Sequence, residues 1–475
     1  MEDIKKTELF ERTPIPKAFL KLTVPTVMAS LVMIIYNLAD TFFVGMLNDP
    51  IQNSAVTLAA PIMMAFYAIT NLFGVGSSSM MSRALGRHDF ETVYKSSAFG
   101  FWCGTVCAIT LSLVATLLKP PLLSILGATE ETSAATSAYM MWTVSFGALP
   151  SILNVLLSNM VRAEGSAFHA SVGTMSGCLI NIILDPLFIL PQFLDMGAAG
   201  AGLATFISNC FACFYYLVLL YLKRGKTYVC IDPRKFTFER EISFGVFGVG
   251  IPAAIQNLLN VLGMTVFNNL TASYGPDAVA GMGIAQKVNQ VAFSVALGLS
   301  QGIMPLIGYN YAGGNIKRMK KTIAFSLKVS ITFLVIATVF FRFNSENIVW
   351  LFIKNENIVN IGARILRGFC LTLVFIAVDF ITVGIFQACG KGSISLFFAI
   401  LRKAVFEIPF IIIFNKIVPL YGLAYAQTFA EVILCVIAIA VLLRFFKKIE
   451  TKSMDHWGVI LEYKLYNIIK QDKRK

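Results

Sequence analysis

The chain is 475 residues long, 57% hydrophobic and only 14% charged, with a mean hydropathy of +0.73. A soluble chain of this length would be richer in charge and would divide into domains joined by polar linkers. Here apolar segments recur from residue 17 to residue 446, so lipid is the solvent, and the net charge of +13 lies in loops and tails between them, which excludes nucleic acid as a partner.

Twelve runs reach the roughly twenty apolar residues that a membrane-spanning helix needs. They predict helices at 17–45, 53–80, 94–118, 134–158, 168–190, 197–222, 242–272, 277–307, 321–342, 358–386, 393–415 and 420–446. The polar N-terminus carries both charge signs, and no small-residue cleavage site follows the first run, which therefore reads as a retained helix and not a signal peptide. Pro25, Pro150, Pro252, Pro305 and Pro409 fall inside runs, where a missing N–H kinks a helix.

Orientation follows from the basic residues. With the N-terminus cytoplasmic, the inside segments hold 29 Lys and Arg, and the outside ones hold six: Lys119, Arg342, Lys354, Arg364, Arg367 and Lys416. The positive-inside rule then puts both termini in the cytoplasm of a multi-pass cell-membrane protein. The charged stretch 223–241 separates six spans from six, predicting an N-terminal lobe at 1–222, a linker loop at 223–241, a C-terminal lobe at 242–446 and a basic cytoplasmic tail at 447–475.

The halves repeat. Pro25 to Gly86 and Pro252 to Gly313 both span 61 positions, and RAEG at 162–165 corresponds to QACG at 387–390. Offsets of 227 residues early and 225 late imply two six-helix bundles of one orientation, related by a pseudo-two-fold axis along the membrane normal.

Polar groups at bilayer depth are few. A charge at the centre of a span costs about 2.5–3.5 kcal/mol on insertion scales, so each one needs a reason. Asp40 lies in the first span with Tyr36 and Asn37 on the same helical face; Asp185 lies in the fifth, one turn after Asn181; Thr205 in the sixth adds a hydroxyl. These hard oxygens suit a cation or a shared proton. Asp185 precedes Pro186, and Asp-Pro near a helix end also makes turns and caps. Asp379 and Asn154 each stand eleven residues before a loop glycine, Gly390 and Gly165, and so occupy equivalent places in opposing lobes. Lys403 and Glu407 are spaced to neutralise each other, with Arg402 beside them, while Glu431 either faces the cleft or pairs with Lys287.

Other chemistries find no support. Nine cysteines are scattered mostly inside spans, and the one C-x-x-C, Cys210 to Cys213, lies in an apolar run, so neither a disulfide framework nor a redox or zinc site is predicted. His88, His169 and His456 fall in loops or the tail, so the spans hold no histidine for an intramembrane enzyme. There is no P-loop lysine motif for nucleotide-driven pumping. The 40 Phe and 18 Met suit an adaptable cavity for flat apolar cations, although most must pack helices or face lipid.

Several segments carry a family resemblance: PTVMASLVMIIYNLADTFFVG at 25–45, GVGSSSMMSRALGRHD at 74–89, VRAEGSAFHASVGTMSGCLINIILDPLFI at 161–189, MGAAGAGLATFIS at 196–208, then GIPAAIQNLLN, GIAQKVNQ and QGIMPLIGYNYAGG at 301–314. In their order and spacing the chain resembles the multidrug and toxic compound extrusion (MATE) transporters, in particular the bacterial branch that includes DinF and MepA. The resemblance implies an all-helical membrane protein whose two bundles face each other across a central cleft. It implies export of amphipathic, often cationic, drugs by alternating access and antiport with protons or sodium ions, by a monomer without a cofactor. It assigns cation coupling to Asp40, Asn181, Asp185 and Thr205, which would be the metal ligands if the ion is sodium. The substrate cavity would draw on Tyr36, Asn37, Asn154, Gln256, Asn260 and Asp379. Where some members carry an acid in the seventh span this chain has Gln256, Asn257 and Asn260, which argues against a sodium site in the second lobe. The alternative is a flippase for lipid-linked or polyanionic cargo, whose cavity would be lined with Arg and Lys.

Overall fold

Each apolar run of the sequence becomes a helix in the computed structural model, which describes residues 2–47 and 49–472, with side chains for 7–47 and 49–451. Among the described residues there is no strand. The spans are α1 (Ile15–Gly45), α2 (Pro50–Gly86), α3 (Phe90–Leu117), α4 (Glu130–Phe146 with Ala148–Ala163), α5 (Ala167–Ile189), α6 (Gly197–Leu222), α7 (Arg240–Ala272), α8 (Pro276–Ala312), α9 (Ile316–Phe352) and α10 (Glu356–Ala388). They are followed by α11 (Gly392–Ile400, Leu401–Glu407 and Ile408–Ile417) and α12 (Tyr421–Asp472). Their starts follow from local chemistry. Asp89 caps α3 by accepting from the Thr92 N–H at 3.1 Å, and Asn355 caps α10 by accepting from the Asn357 N–H at 3.0 Å.

Among the described residues ten helices are long and apolar enough to cross a bilayer, and α4, bent by 49° at Gly147, makes an eleventh when its two parts count as one span. Pro150 sits just past that bend, where its missing N–H leaves the preceding turn unsupported. The twelfth span, α11, loosens into a π-turn at Leu401–Glu407 just before Pro409, and that turn carries Arg402, Lys403 and Glu407. A second π-turn, Asn71–Val75, interrupts α2 without a proline to foretell it.

The repeat is visible in the glycines. Gly165 and Gly390 both have positive φ, at 89° and 73°, which explains why a glycine recurs at this loop of each half. Gly86 and Gly313 meet each other across the two lobes: a Cβ on Gly313 would lie 2.8 Å from the Gly86 carbonyl oxygen. At this end of the molecule the lobes are sealed. Ser79 Oγ donates to the Gln387 carbonyl at 2.5 Å, Gly302 and Gly298 of α8 lie against Thr23 and Val27 of α1, and Gly250 of α7 abuts the Leu72 backbone of α2.

A short helix, Glu2–Glu11, lies over the seal. Phe10 stacks on Tyr309 of the second lobe at 4.9 Å and touches Gly165 of the first, and its carbonyl accepts from Arg318 Nε at 2.6 Å. Beyond Leu31, Met33, Ile35 and Asn37 of α1 are exposed. The stretch 223–239 is pinned to the first lobe through buried Glu164, which accepts from the Tyr228 N–H at 2.7 Å and the Thr227 hydroxyl at 2.9 Å. The expected tail begins inside α12, and beyond residue 451 its side chains, His456 included, lie outside the described residues.

Candidate functional site: two buried carboxylates in the first lobe

Close packing of α5 on α6 builds the site. Gly173 leaves room for the Tyr216 ring, whose hydroxyl donates to the Ala170 carbonyl at 2.5 Å, and Gly177 lies against Ser208 and Ala212. This brings Asn181 and Asp185 of α5 alongside Thr205 of α6. Asp185 is fully buried and Asn181 is 1% exposed. The Asn181 amide donates to Asp185 Oδ2 at 2.9 Å and accepts from the Thr205 N–H at 3.1 Å, with the Thr205 hydroxyl 3.4 Å away. The helix runs on to Ile189, so Asp185 is an interior residue and not a turn or a cap.

Helix α1 packs along α5 and carries Asp40, half-buried, into electrostatic reach of Asp185. Tyr36, one turn before Asp40, extends its hydroxyl to the Thr205 side chain. All four expected coupling residues therefore converge, with Tyr36 among them. Two further hydroxyls complete the ring: Tyr139 of α4 lies in the field of both carboxylates, and Tyr67 of α2 lies in that of Tyr36. Sequence reasoning missed both; the available signal was a hydroxyl-bearing ring inside an apolar run. Among the described residues neither Asp40 nor Asp185 has a cationic partner.

The expected cavity residues disperse. Asn260 lines a gap of about 240 Å³ between the lobes, together with Asn257, Leu258 and Val261 of α7 and Met64 and Tyr67 of α2. Tyr67 thus belongs to both the gap and the carboxylate site. Asn37 is exposed on α1. Asn154 donates to Asn209 Oδ1 at 2.9 Å inside the first lobe, and Gln256 accepts from Gln387 at 3.3 Å inside the second.

Asp379 is 1% exposed and joins a charge cluster in the second lobe. Arg402 lies between Asp379, at 3.3 Å, and Glu431, at 2.6 Å, with its guanidinium 5.1 Å from the centre of the Phe380 ring. Glu431 therefore pairs with Arg402 and not with Lys287. Lys403 meets Glu407 at 2.6 Å, as their spacing predicts. One placement needs correcting: His169 is not in a loop but in the first turn of α5, 3.0 Å from the Tyr215 hydroxyl and 3.0 Å from Lys223 Nζ. The nine cysteines are free.

Two carboxylates, an amide and a set of hydroxyls, without an internal cation, make a site that a small cation or a proton would neutralise. The oxygen-only donor set fits a hard ion such as sodium as well as it fits a proton.

Known proteins share the fold that carries this site. The MatE family profile matches residues 25–187 and 252–413, which are the two halves of the repeat. The chain is 31% identical over 431 residues to the multidrug export protein MepA of Staphylococcus aureus (strain MSSA476) and to that of Staphylococcus haemolyticus (strain JCSC1435), covering 90% of this chain and 93% of each relative. Among solved structures, a MATE transporter in complex with MaL6 superposes with a TM-score of 0.89 at 24% identity, over 94% of this chain and 99% of that one. An outward-facing multidrug resistance MATE transporter gives 0.88, also at 24% identity and with the same coverage. These structures share the fold. With both repeats matched by the profile and a curated relative aligned along nine-tenths of its length, this multi-pass membrane protein belongs to the MatE family of transporters.

Proposed function

We propose that this protein exports amphipathic, often cationic, compounds by antiport with protons or sodium ions. The observation that carries the reading is the pair of carboxylates, Asp40 and Asp185, held together in one lobe with no basic partner. In a low-dielectric interior such a pair must be neutralised by something that arrives from outside. Asp40, Asn181, Asp185 and Thr205 hold the coupling ion, which is a bound metal only if the ion is sodium. Neutralising them changes the relative free energy of the two lobe arrangements, which is what alternating access requires. Tyr67 gives a direct route between the ion and the interlobe gap, where Asn260 and Met64 meet cargo.

The same reading puts both termini and the sealed end in the cytoplasm of a cell-membrane monomer. Its lobes are 1–222 and 242–446, joined by the 223–241 linker and followed by the 447–475 tail. The gap has no basic side chain in its lining, which favours cationic or neutral cargo over the anionic cargo of a flippase. The protein transports without covalent chemistry and without a cofactor.

The test is ethidium efflux from proteoliposomes under separately imposed proton and sodium gradients, with Asp40→Asn and Asp185→Asn variants of verified thermal stability. Efflux that follows one gradient and collapses in both variants identifies the ion and the site. Efflux in both variants with unchanged rate and ion dependence overturns the assignment.

A further inference from the structure

A second cavity, of about 440 Å³, lies at the far end of the second lobe, away from the seal, between α9, α10 and α12. Its lining includes Arg342, Arg364 and Arg367, with one acid, Glu346, and the rings of Tyr421 and Tyr425. Half of the six basic residues that the sequence places on this side therefore converge on one pocket, although Lys and Arg are scarce there.

The charges are not used up internally. Arg367 meets Glu346 at 2.6 Å and donates to Ser345 Oγ at 2.7 Å. Arg342 donates only to the Arg367 carbonyl, at 3.3 Å, and the Arg364 guanidinium lies over the Tyr421 ring at 4.2 Å. Among the described residues neither Arg342 nor Arg364 pairs with a carboxylate, so the pocket carries two surplus positive charges. Nor does the repeat call for a charge at these places. With the 225-residue offset of Gly390 from Gly165, Arg364 and Arg367 correspond to Tyr139 and Trp142 of the first lobe.

The depth is that of a lipid headgroup. Arg342 stands 21 residues along α9 from Lys321, and Arg367 stands 23 before Gly390. At about 1.5 Å per residue both separations are roughly 31–35 Å, close to one hydrocarbon thickness. Val339 and Val335, three and seven residues before Arg342 on the same face of α9, are 50% and 41% exposed and lead from the pocket toward the bilayer centre. A guanidinium cluster at the boundary with an apolar track beneath it matches an amphiphile whose head is a phosphate.

We propose that this pocket binds the phosphate headgroup of an anionic phospholipid, with an acyl chain along Val339 and Val335. This inference is independent of the transport reading and concerns a different face of the protein.

The experiment is native mass spectrometry of the purified full-length chain titrated with dioleoyl phosphatidylglycerol, with dioleoylglycerol as the same chains without phosphate, and with inorganic phosphate. Phosphatidylglycerol is expected to bind and dioleoylglycerol not. Arg342→Gln and Arg364→Gln should each weaken lipid binding about five-fold, the value of one basic residue at an anionic surface. Glu346→Gln, which frees Arg367, should strengthen it, an opposite sign that a folding defect does not produce. Equal phosphatidylglycerol binding in the Arg342→Gln/Arg364→Gln double variant, or weaker binding in Glu346→Gln, overturns the proposal. So does a thermal stabilisation by inorganic phosphate that matches the lipid's, because the occupant would then be the free anion.

Discussion

The seal between the lobes rests on glycines, and one of them gives a clean perturbation. A Cβ added at Gly302 of α8 would lie 2.8 Å from Thr23 Cα, 3.0 Å from Thr23 Cγ2 and 3.1 Å from the Leu22 carbonyl oxygen of α1. Ordinary contact begins at 3.4 Å, and the nearest atom is backbone, so the helices themselves must move apart. Overpacking of this kind costs about 1–3 kcal/mol. Because Thr23 and Gly302 belong to different lobes, the cost falls on the sealed arrangement and is relieved when that end opens. Gly302→Ala should therefore shift the sealed-to-open ratio by about 5- to 150-fold toward open. Gly248→Ala is the matched control: it gains the same helix propensity, but its Cβ meets no atom within 4 Å. Electron–electron distance measurements between spin labels at Arg87, in the loop after α2, and Lys317, in the first turn of α9, both exposed at the sealed end, read the ratio directly. Identical distance distributions in Gly302→Ala, Gly248→Ala and the parent would refute the reasoning.

The N-terminal helix should act as a brace on the same seal. Phe10→Ala removes a 2%-exposed ring stacked on Tyr309, a loss of about 3–5 kcal/mol if the site does not collapse, and hydrogen exchange at residues 7–11 should rise to that of an undocked helix. In the second lobe, Arg402→Met alone should destabilise the protein by about 3–5 kcal/mol, since it strands Asp379 and Glu431 without a counter-charge. Combining it with Asp379→Asn and Glu431→Gln should recover much of the thermal stability, and failure to recover would mean that Arg402 acts through packing on Phe380 instead. The α3 cap should titrate. Hydrogen bonds from the Thr92 side chain and backbone hold the Asp89 carboxyl below its usual range. Its contribution is therefore present above the unfolded-state pKa, about 3.9, and is lost as pH falls through the lower folded value. Thermal melts across that range should show this acid loss in the parent and not in Asp89→Asn, which keeps a capping side chain but cannot titrate.

The twelve runs were legible because a bilayer demands about twenty apolar residues whatever their neighbours, and the structure moves their ends by only a few residues at most positions. The largest extensions are those of α2, α9 and α12; that of α2 runs through Ser82, Arg83 and Gly86 into the seal between the lobes, and those of α9 and α12 take in polar stretches, where hydropathy carries no signal. Proline foretold the bend at Gly147, but nothing local marked the π-turn at Asn71, where α2 packs against α7. The convergence of Asp40, Asn181, Asp185 and Thr205 was readable because charge at bilayer depth is rare and each needs a partner. Tyr67 and Tyr139 were hidden among fifteen tyrosines, since membership of the site depends on which helices adjoin and not on spacing along one of them. The same limit left Glu431 undecided: its partner is Arg402, 29 positions away on α11, and only the tertiary packing separates that choice from Lys287.

The two lobes solve one electrostatic problem in opposite ways. Asn154 and Asp379 occupy equivalent places in the repeat, yet Asn154 bonds neutral Asn209 while Asp379 faces Arg402. In the second lobe three buried acids, Asp379, Glu407 and Glu431, are offset by two buried bases, Arg402 and Lys403. In the first lobe, among the described residues, no base pairs with Asp40 or Asp185. A guanidinium held by α11 cannot leave with each cycle, whereas a proton or a sodium ion can. The lobe that supplies its own cations therefore has less to gain from an exchangeable one, and on the proposed antiport the demand for an ion from solution falls on the carboxylates beside Asn181 and Thr205. That asymmetry makes the coupling assignment sharper than the repeat alone would allow: if Asp379→Asn abolished ion dependence while Asp40→Asn and Asp185→Asn did not, the lobes' roles would have to be exchanged.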